Sequence, residues 1–392
     1  MGSDDPRGII ELGNINIKCL IFRINNGDTS EILSTAVTRS EGIHNGVIVN
    51  LTNASQVIRS CISTSEKKAK VSLKKINVVI EQPEFLCTKF SKHRKIDGSK
   101  IHKDDIEFLL KEAKKQVIHN DDKQSIIHIF NHNYIVDGKT FIEEPIDVYA
   151  DSLSHEMTFV TMPKNNIKNI NQAFIDCDIE VERFISCTFA LAAKLLNDNE
   201  LQFGSILIDM GFEKTSLGLF KNLALVHSIT FSIGINHIIK DISKVCSLSL
   251  EESENIINKI DFSFQNNEEL FDENDYLKDV YFNNSSFRKI SQSLILNIVK
   301  ARLDEIFEMI KKQIIGTGLN STFGTNFFGL KVKKLGKNNK KESETQSDEN
   351  FASCLGALKI IKDGWETEAI PVLGKKNIEK ISFFAKVFGT HR

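Results

Sequence analysis

Between Gly8 and Val37 the apolar residues come in short runs divided by turn-forming ones: Gly8-Ile9-Ile10, then Ile17 to Phe22, then Asn25-Asn26-Gly27-Asp28, then Ile32 to Val37. That pattern predicts a strand, a tight turn, a second strand and a hairpin. Residues 53–68 and 103–118 change to helical spacing, the second with Ile106, Leu109, Leu110, Ala113 and Val117 on one side and Lys, Asp and Glu on the other. Ile76 to Ile80 and Ile126 to Phe130 read as strands.

The opening pattern returns between Ser205 and Gly234. Ile206-Leu207-Ile208-Asp209 precedes a turn at Gly211, Leu217 to Phe220 precedes a Lys221-Asn222 turn, and Leu223 to Phe231 follows. Two copies of one strand-turn-strand-turn-strand unit predict a duplicated α/β architecture with a cleft between the copies. A long helix is predicted over 286–314, with Phe287, Ile290, Leu294, Ile298, Leu303, Ile306, Ile310 and Ile314 approximating one face. Residues 331–350 run from basic to acidic with little to bury and predict a solvated loop. Near the end, Ile378, Ile381, Phe384 and Phe388 share a helical face widened by Phe383 and Val387, while Lys376, Lys380 and Lys386 populate the rest. A short, basic, aromatic-bearing amphipathic helix is the pattern of a segment lying in an anionic membrane surface.

Composition narrows the partners. With 392 residues, 41% of them hydrophobic, the chain can bury a large core, and its net charge of -2 provides no global field for nucleic acid. Seven scattered cysteines without a C-x-x-C pair read as buried thiols of a reducing cytosol. The opening Met-Gly-Ser-Asp-Asp-Pro lacks the basic and apolar stretches of a signal peptide, and Pro6 spoils the myristoylation pattern that Gly2 would begin. No apolar run approaches the roughly 20 residues that span a bilayer, so membrane contact is expected to be peripheral.

The candidate chemistry sits at two turns. In Glu11-Leu12-Gly13-Asn14 and in Asp209-Met210-Gly211 a glycine follows a strand that ends on an acid. Such a turn lets backbone N–H groups face a phosphate while the acid orients a metal or its waters. His128 and His132 fall four apart, but His128 sits in a strand pattern; His155-Glu156 fails the zinc-protease spacing because residue 159 is Phe. Ser152, Ser154 and Ser205 lack a nucleophile elbow, so no hydrolase triad is visible.

Ser40 to Asn50 reads S-E-G-I-H-N-G-V-I-V-N, and Tyr134-Ile135-Val136-Asp137-Gly138 is followed by Glu144-Pro145-Ile146. In these segments the chain resembles the FtsA family of bacterial actin-like cell-division proteins, with its G-I-x-x-G-x-I-x-D stretch and its F-x-V-D-G and D-P-x-G-M segments. Asp209-Met210-Gly211 with Ser232 to Ile242 is similar to its second phosphate motif and G-G-x-x-I-T-x-D-I-A run. Leu250 to Glu254, Val299 to Ile306, and Phe351 to Ala357 resemble L-E-E-A-E, E-A-R-x-E-E-I and F-A-T-A-x-G.

The resemblance implies an actin/hexokinase (ribonuclease H-like) α/β fold of two lobes with the FtsA-type inserted subdomain. It divides the chain into a first lobe over 7–77, an inserted self-association module over 78–162, and a return to the first lobe over 163–200. A second lobe follows over 201–237, then an FtsZ-binding subdomain over 238–287, a return to the second lobe over 288–361, a linker over 362–375 and a membrane-targeting helix over 376–392.

The resemblance also implies ATP with Mg2+, with Gly13, Asn14, Ile15, Asn16, Asp209, Gly211, Gly234, Asn236 and Glu254 on the nucleotide and Glu11 and Asp209 toward the metal. Several of these positions depart from the family. Glu11 stands for Asp, Ile15 for a Ser/Thr hydroxyl, Phe212-Glu213 for a Gly-Gly pair, Ser216 for Asp and Ile257 for Lys, and the late glycine turn is shortened to Ile315-Gly316-Thr317-Gly318-Leu319-Asn320, then Phe327-Phe328-Gly329-Leu330. These changes oppose tight phosphate binding and predict weak or absent ATP hydrolysis.

The implied partners are the FtsZ C-terminal peptide at Lys240, Lys244, Lys259 and Arg288, a second copy of the chain, other division proteins, and anionic lipid at the C-terminal helix. The implied place is the cytoplasmic face of the inner membrane at the septum. An active actin-fold ATPase and a PilM-like pilus-assembly adaptor are the alternative readings.

Overall fold

The computed structural model describes residues 5–25, 29–259, 276–277, 289–318 and 350–363. The chain divides into two compact units. The first holds the described residues up to Asp209, Ser216–Thr230, and 350–363; the second holds Met210–Thr215 and the described residues from Phe231 to Gly318.

The first unit is built on a five-stranded sheet in the order β11-β6-β1-β2-β3. Its opening strands, β1 (Arg7–Leu12), β2 (Asn16–Asn25) and β3 (Thr29–Arg39), form the predicted antiparallel meander. β6 (Lys75–Ile80) lies parallel to both β1 and β11 (Glu180–Ser186). A central parallel strand is covered on both faces, which is why β6 reads as an almost unbroken apolar run. The polar Asn77 in its middle is buried and donates to the Gly8 carbonyl at 3.1 Å.

Helix α1 (Leu51–Ala69) starts where Asn50 accepts from the Asn53 N–H and packs on β2 and β3. α3 (Lys164–Ile175) packs on α1 and β11, and α4 (Cys187–Leu195) on β6 and β11. Two short strands, β4 (Ile43–His44) and β5 (Val47–Ile48), form a small hairpin ahead of α1.

Between β6 and α3 the chain leaves for a four-stranded antiparallel sheet, β7-β10-β8-β9. These strands are β7 (Leu86–Lys100), β8 (Gln124–Val136), β9 (Lys139–Phe141) and β10 (Tyr149–Pro163), and α2 (Lys103–Asn120) packs against β7, β8 and β10. Ile106, Leu109, Ala113 and Val117 are buried as the spacing predicts. Ile127, Phe130, Val160 and Met162 join the core of the first sheet and so fasten the insert to it. The insert boundary expected at Val78 is corrected: residues 75–80 are strand-paired within the first sheet, and the inserted sheet begins at Leu86.

β12 (Ser205–Met210), β13 (Thr215–Lys221) and β14 (Ala224–Phe231) make the second meander, preceded by the short helix α5 (Asp198–Phe203). Most of this sheet, expected in the second lobe, groups with the first unit, because Leu207, Phe220, Ala224 and Leu225 are buried in the first unit's core. The last described helix, which we number α9 (Ala352–Lys362), was likewise expected to return to the second lobe. Instead it packs on α4 and β1. Its Cys354, Ala357 and Ile360 are fully buried there.

The second unit consists of α6 (Ile235–Cys246), α7 (Leu250–Lys259) and α8 (Gln292–Gly316) around Ile238, Ile242, Ile256, Ile290, Ile295 and Val299. On α8 the predicted face is partly corrected. Ile295 and Val299 are buried and Leu294 is exposed, while Ile306, Ile310 and Ile314 are buried as expected. Leu294-Ile295 and Ile298-Val299 supply two adjoining apolar stripes, and docking on α6 selects between them. No disulfide joins any of the seven cysteines, all of which lie among the described residues. Among the described residues no helix is long and apolar enough to cross a membrane.

Candidate functional site

The first glycine turn joins β1 to β2. The Glu11 carboxylate, projecting from the end of β1, accepts from Lys18 Nζ at 3.1 Å and from Ser353 Oγ at 2.5 Å. Opposing contributions act on Lys18: burial lowers its pKa, and Glu11 outweighs that and raises it. The turn residues themselves face other chain segments. Asn14 donates its amide to Asn45 Oδ1 at 3.3 Å, Ile15 is 48% exposed, and Ser40 N–H closes on the Ile15 carbonyl at 2.8 Å. The hairpin tip that receives Asn14 is held in turn by Gln82, whose amide donates to the Gly46 carbonyl, and Asn166 donates to Gln82 at 2.8 Å. Gly13, Asn14, Ile15 and Asn16 are therefore gathered on one hairpin with Glu11 behind them.

The second turn joins β12 to β13 and lies, from Met210 to Thr215, in the second unit. Gly211 N–H donates to the Lys214 carbonyl at 2.8 Å. The start of α6 is folded against the same turn: Ile235 and Asn236 N–H donate to the Gly211 and Phe212 carbonyls at 3.0 and 2.8 Å. Asn236 Nδ2 donates to Glu213 Oε1 at 2.7 Å, and Thr215 Oγ1 to the Ile233 carbonyl at 2.6 Å. Gly211, Gly234 and Asn236 are thus brought together at one place, with Asp209 at the end of β12. Glu254 is on the exposed side of α7, and Ile257 belongs to the apolar cluster beneath it.

Sequence reasoning missed a buried carboxylate. Glu81, 3% exposed at the end of β6, accepts from Ser186 Oγ at 2.8 Å, Thr188 N–H at 2.9 Å and Thr230 Oγ1 at 3.3 Å. Ser216, the substituted position of the second phosphate motif, hydrogen-bonds Thr230 at 3.0 Å and extends this network. The signal was present, since Glu81 ends an apolar strand as Glu11 and Asp209 do; no glycine follows it to attract attention. His128 is buried in the core: Nε2 accepts from the Ser186 N–H at 2.9 Å, and the ring is edge-on to Phe189. Burial, aided by Arg183, lowers its pKa to about 3. His155 is also buried and stacks on Tyr134.

Lys240 and Lys244 are exposed one turn apart on α6, close in sequence to Val245 and Leu250, which are 58% and 54% exposed. Lys259 ends α7, and Arg288 lies outside the described residues. Of the late glycine turn, Ile315 and Gly316 end α8, and the residues beyond Gly318 lie outside the described ones, as do the loop over 331–349 and the whole segment from Lys376 to Arg392.

Two family models match this architecture. One, described as the SHS2 domain inserted in FtsA, covers residues 85–161, the span of the inserted sheet; the other, described as cell division protein FtsA, covers residues 206–356. The chain is an FtsA-type protein. Its relatives include the cell division protein FtsA of Agrobacterium fabrum, 24% identical over 81% of this chain and 73% of that protein. The FtsA of Streptococcus pneumoniae is 25% identical over 78% of this chain and 66% of that protein. Among solved structures, a chain of the PilM-PilN type IV pilus biogenesis complex superposes with a TM-score of 0.60 at 11% identity, covering 91% of this chain and 98% of that one. That likeness shows the fold alone, which is actin-like with an inserted subdomain. In this FtsA-type chain, Arg302 of the E-A-R-like stretch now has a structural role: it forks onto Asp241 of α6 at 2.7 and 2.9 Å.

Proposed function

We propose that this FtsA-type chain acts in cell division by holding FtsZ filaments on the cytoplasmic face of the membrane at the septum. The observation that carries the reading is the match of both FtsA models to one chain, the insert at 85–161 and the region at 206–356. The exposed face of α6 supports a peptide contact: Lys240 and Lys244 offer positive charge to an acidic peptide, and Val245 and Leu250 offer apolar surface nearby in sequence. The amphipathic pattern over 376–392 supports the lipid contact. Burying about four large apolar side chains supplies several kcal/mol, and each lysine adds roughly 1 kcal/mol on an anionic leaflet. Self-association through the inserted sheet would link many such anchors, so that modest single affinities combine. The role is mechanical, and no catalytic step is assigned.

The experiment is recruitment of fluorescent FtsZ to supported anionic bilayers by the full chain. Recruitment is expected, together with its loss on deletion of residues 376–392. Lys240→Glu combined with Lys244→Glu should weaken FtsZ capture and leave lipid binding intact. A full chain that coats the bilayer and brings no FtsZ would overturn the reading.

A further inference from the structure

The FtsA resemblance implies a magnesium-bound triphosphate between two glycine turns, and the residues present do not fit it. At the second turn the chain has placed its own anion: the Glu213 carboxylate is held by the Asn236 amide beside the first turn of α6. The N–H groups of Ile235 and Asn236, which the positive end of the helix would offer to a phosphate, already donate to the Gly211 and Phe212 carbonyls. The approach is tight as well. A Cβ on Gly234 would lie 2.5 Å from both of those carbonyl oxygens. A phosphate entering here would meet a fixed carboxylate and two carbonyl oxygens in place of open donors.

The first turn, considered by itself, points the same way. The cation nearest the strand-ending acid, Lys18, is engaged by Glu11, which Ser353 also holds. Asn14 is directed at Asn45, and Ile15 provides no hydroxyl.

We infer that Glu213 stands in for the phosphate at the second turn, so that this turn keeps its shape without nucleotide and ATP does not regulate the protein. The inference rests on the FtsA-type reading only for naming the ligand to be tested, and ATP binding would leave the tether reading untouched.

The test titrates purified full-length chain with Mg·ATP, read by thermal shift and by calorimetry. The wild-type midpoint should stay unmoved at millimolar ATP, whereas the double variant Phe212→Gly, Glu213→Gly should shift upward by several degrees, because a ligand that binds only the folded state stabilises it. Glu213→Gln keeps an acceptor for Asn236 and removes only the charge. It should bind ATP roughly tenfold more tightly than wild type, and it carries the test if the double variant does not fold. Micromolar binding by the wild type, or a folded Glu213→Gln protein no tighter than wild type, overturns the inference. Bilayer recruitment of FtsZ, run with and without ATP, should give equal amounts.

Discussion

Replacing Gly356 by alanine tests how the first unit is closed. Gly356 lies on α9 where that helix crosses α4, and a Cβ there would fall 1.8 Å from the Ala190 carbonyl oxygen and 2.5 Å from its carbon. Ordinary contact begins at about 3.4 Å, so α9 would have to withdraw by roughly 1.6 Å, and the opposing atoms are helical backbone that cannot rotate aside. That withdrawal would loosen the packing of Phe189, Ala190, Ala193, Cys354, Ala357 and Ile361, all buried in one core. Overpacking of this kind costs about 3 kcal/mol. With a urea slope near 3 kcal/mol/M, the unfolding midpoint followed by circular dichroism should fall by about 1 M.

Gly218→Ala is the control. Its Cβ would meet Thr188 Cγ2 at 2.6 Å and the Phe220 ring at 2.8 Å, side-chain atoms that can shift, so the loss should be smaller. A Gly356→Ala midpoint within about 0.2 M of wild type would refute the close crossing of α4 and α9.

Stability should depend on pH through His128. Its folded pKa is depressed to about 3 from 6.5, so the unfolded chain takes up the proton first; the stabilisation is complete above pH 6.5 and is lost progressively toward pH 3. Between pH 7.5 and pH 5 this amounts to about 2 kcal/mol, and His128→Gln should flatten that part of the profile; equal slopes in urea melts would count against it. His227, whose pKa burial and Lys89 also lower, contributes with the same sign. In the second unit, Arg302 and Asp241 are 23% and 27% exposed and paired two-pronged between α8 and α6. Arg302→Leu should cost about 1–2 kcal/mol, and Arg302→Lys should recover little because lysine lacks the planar fork. A double-mutant cycle with Asp241→Asn that returns no coupling would argue against this pairing.

The local pattern along the chain determined the parts whose periodicity is self-contained. Both meanders, α1, α2 and β6 were readable because alternation and helical spacing are set by side chains only a few residues apart. The family resemblance likewise followed from short segments. The inserted sheet was legible only in part. β7, which reads Leu86-Cys87-Thr88-Lys89-Phe90-Ser91-Lys92-His93, is a strand at the sheet's edge with one face in water, so its apolar residues are too few to announce it.

Tertiary structure alone decided the rest. It grouped most of β12–β14 and α9 with the first unit and chose Ile295 over Leu294 as the buried face of α8. It also filled the second turn with Glu213 and gathered Glu81, Ser186, Thr188 and Thr230 into one buried network. Each of these depends on which surfaces meet across more than a hundred residues of chain or across two elements. Hydrophobic spacing fixes a residue's direction from its own backbone, but not the partner it meets there.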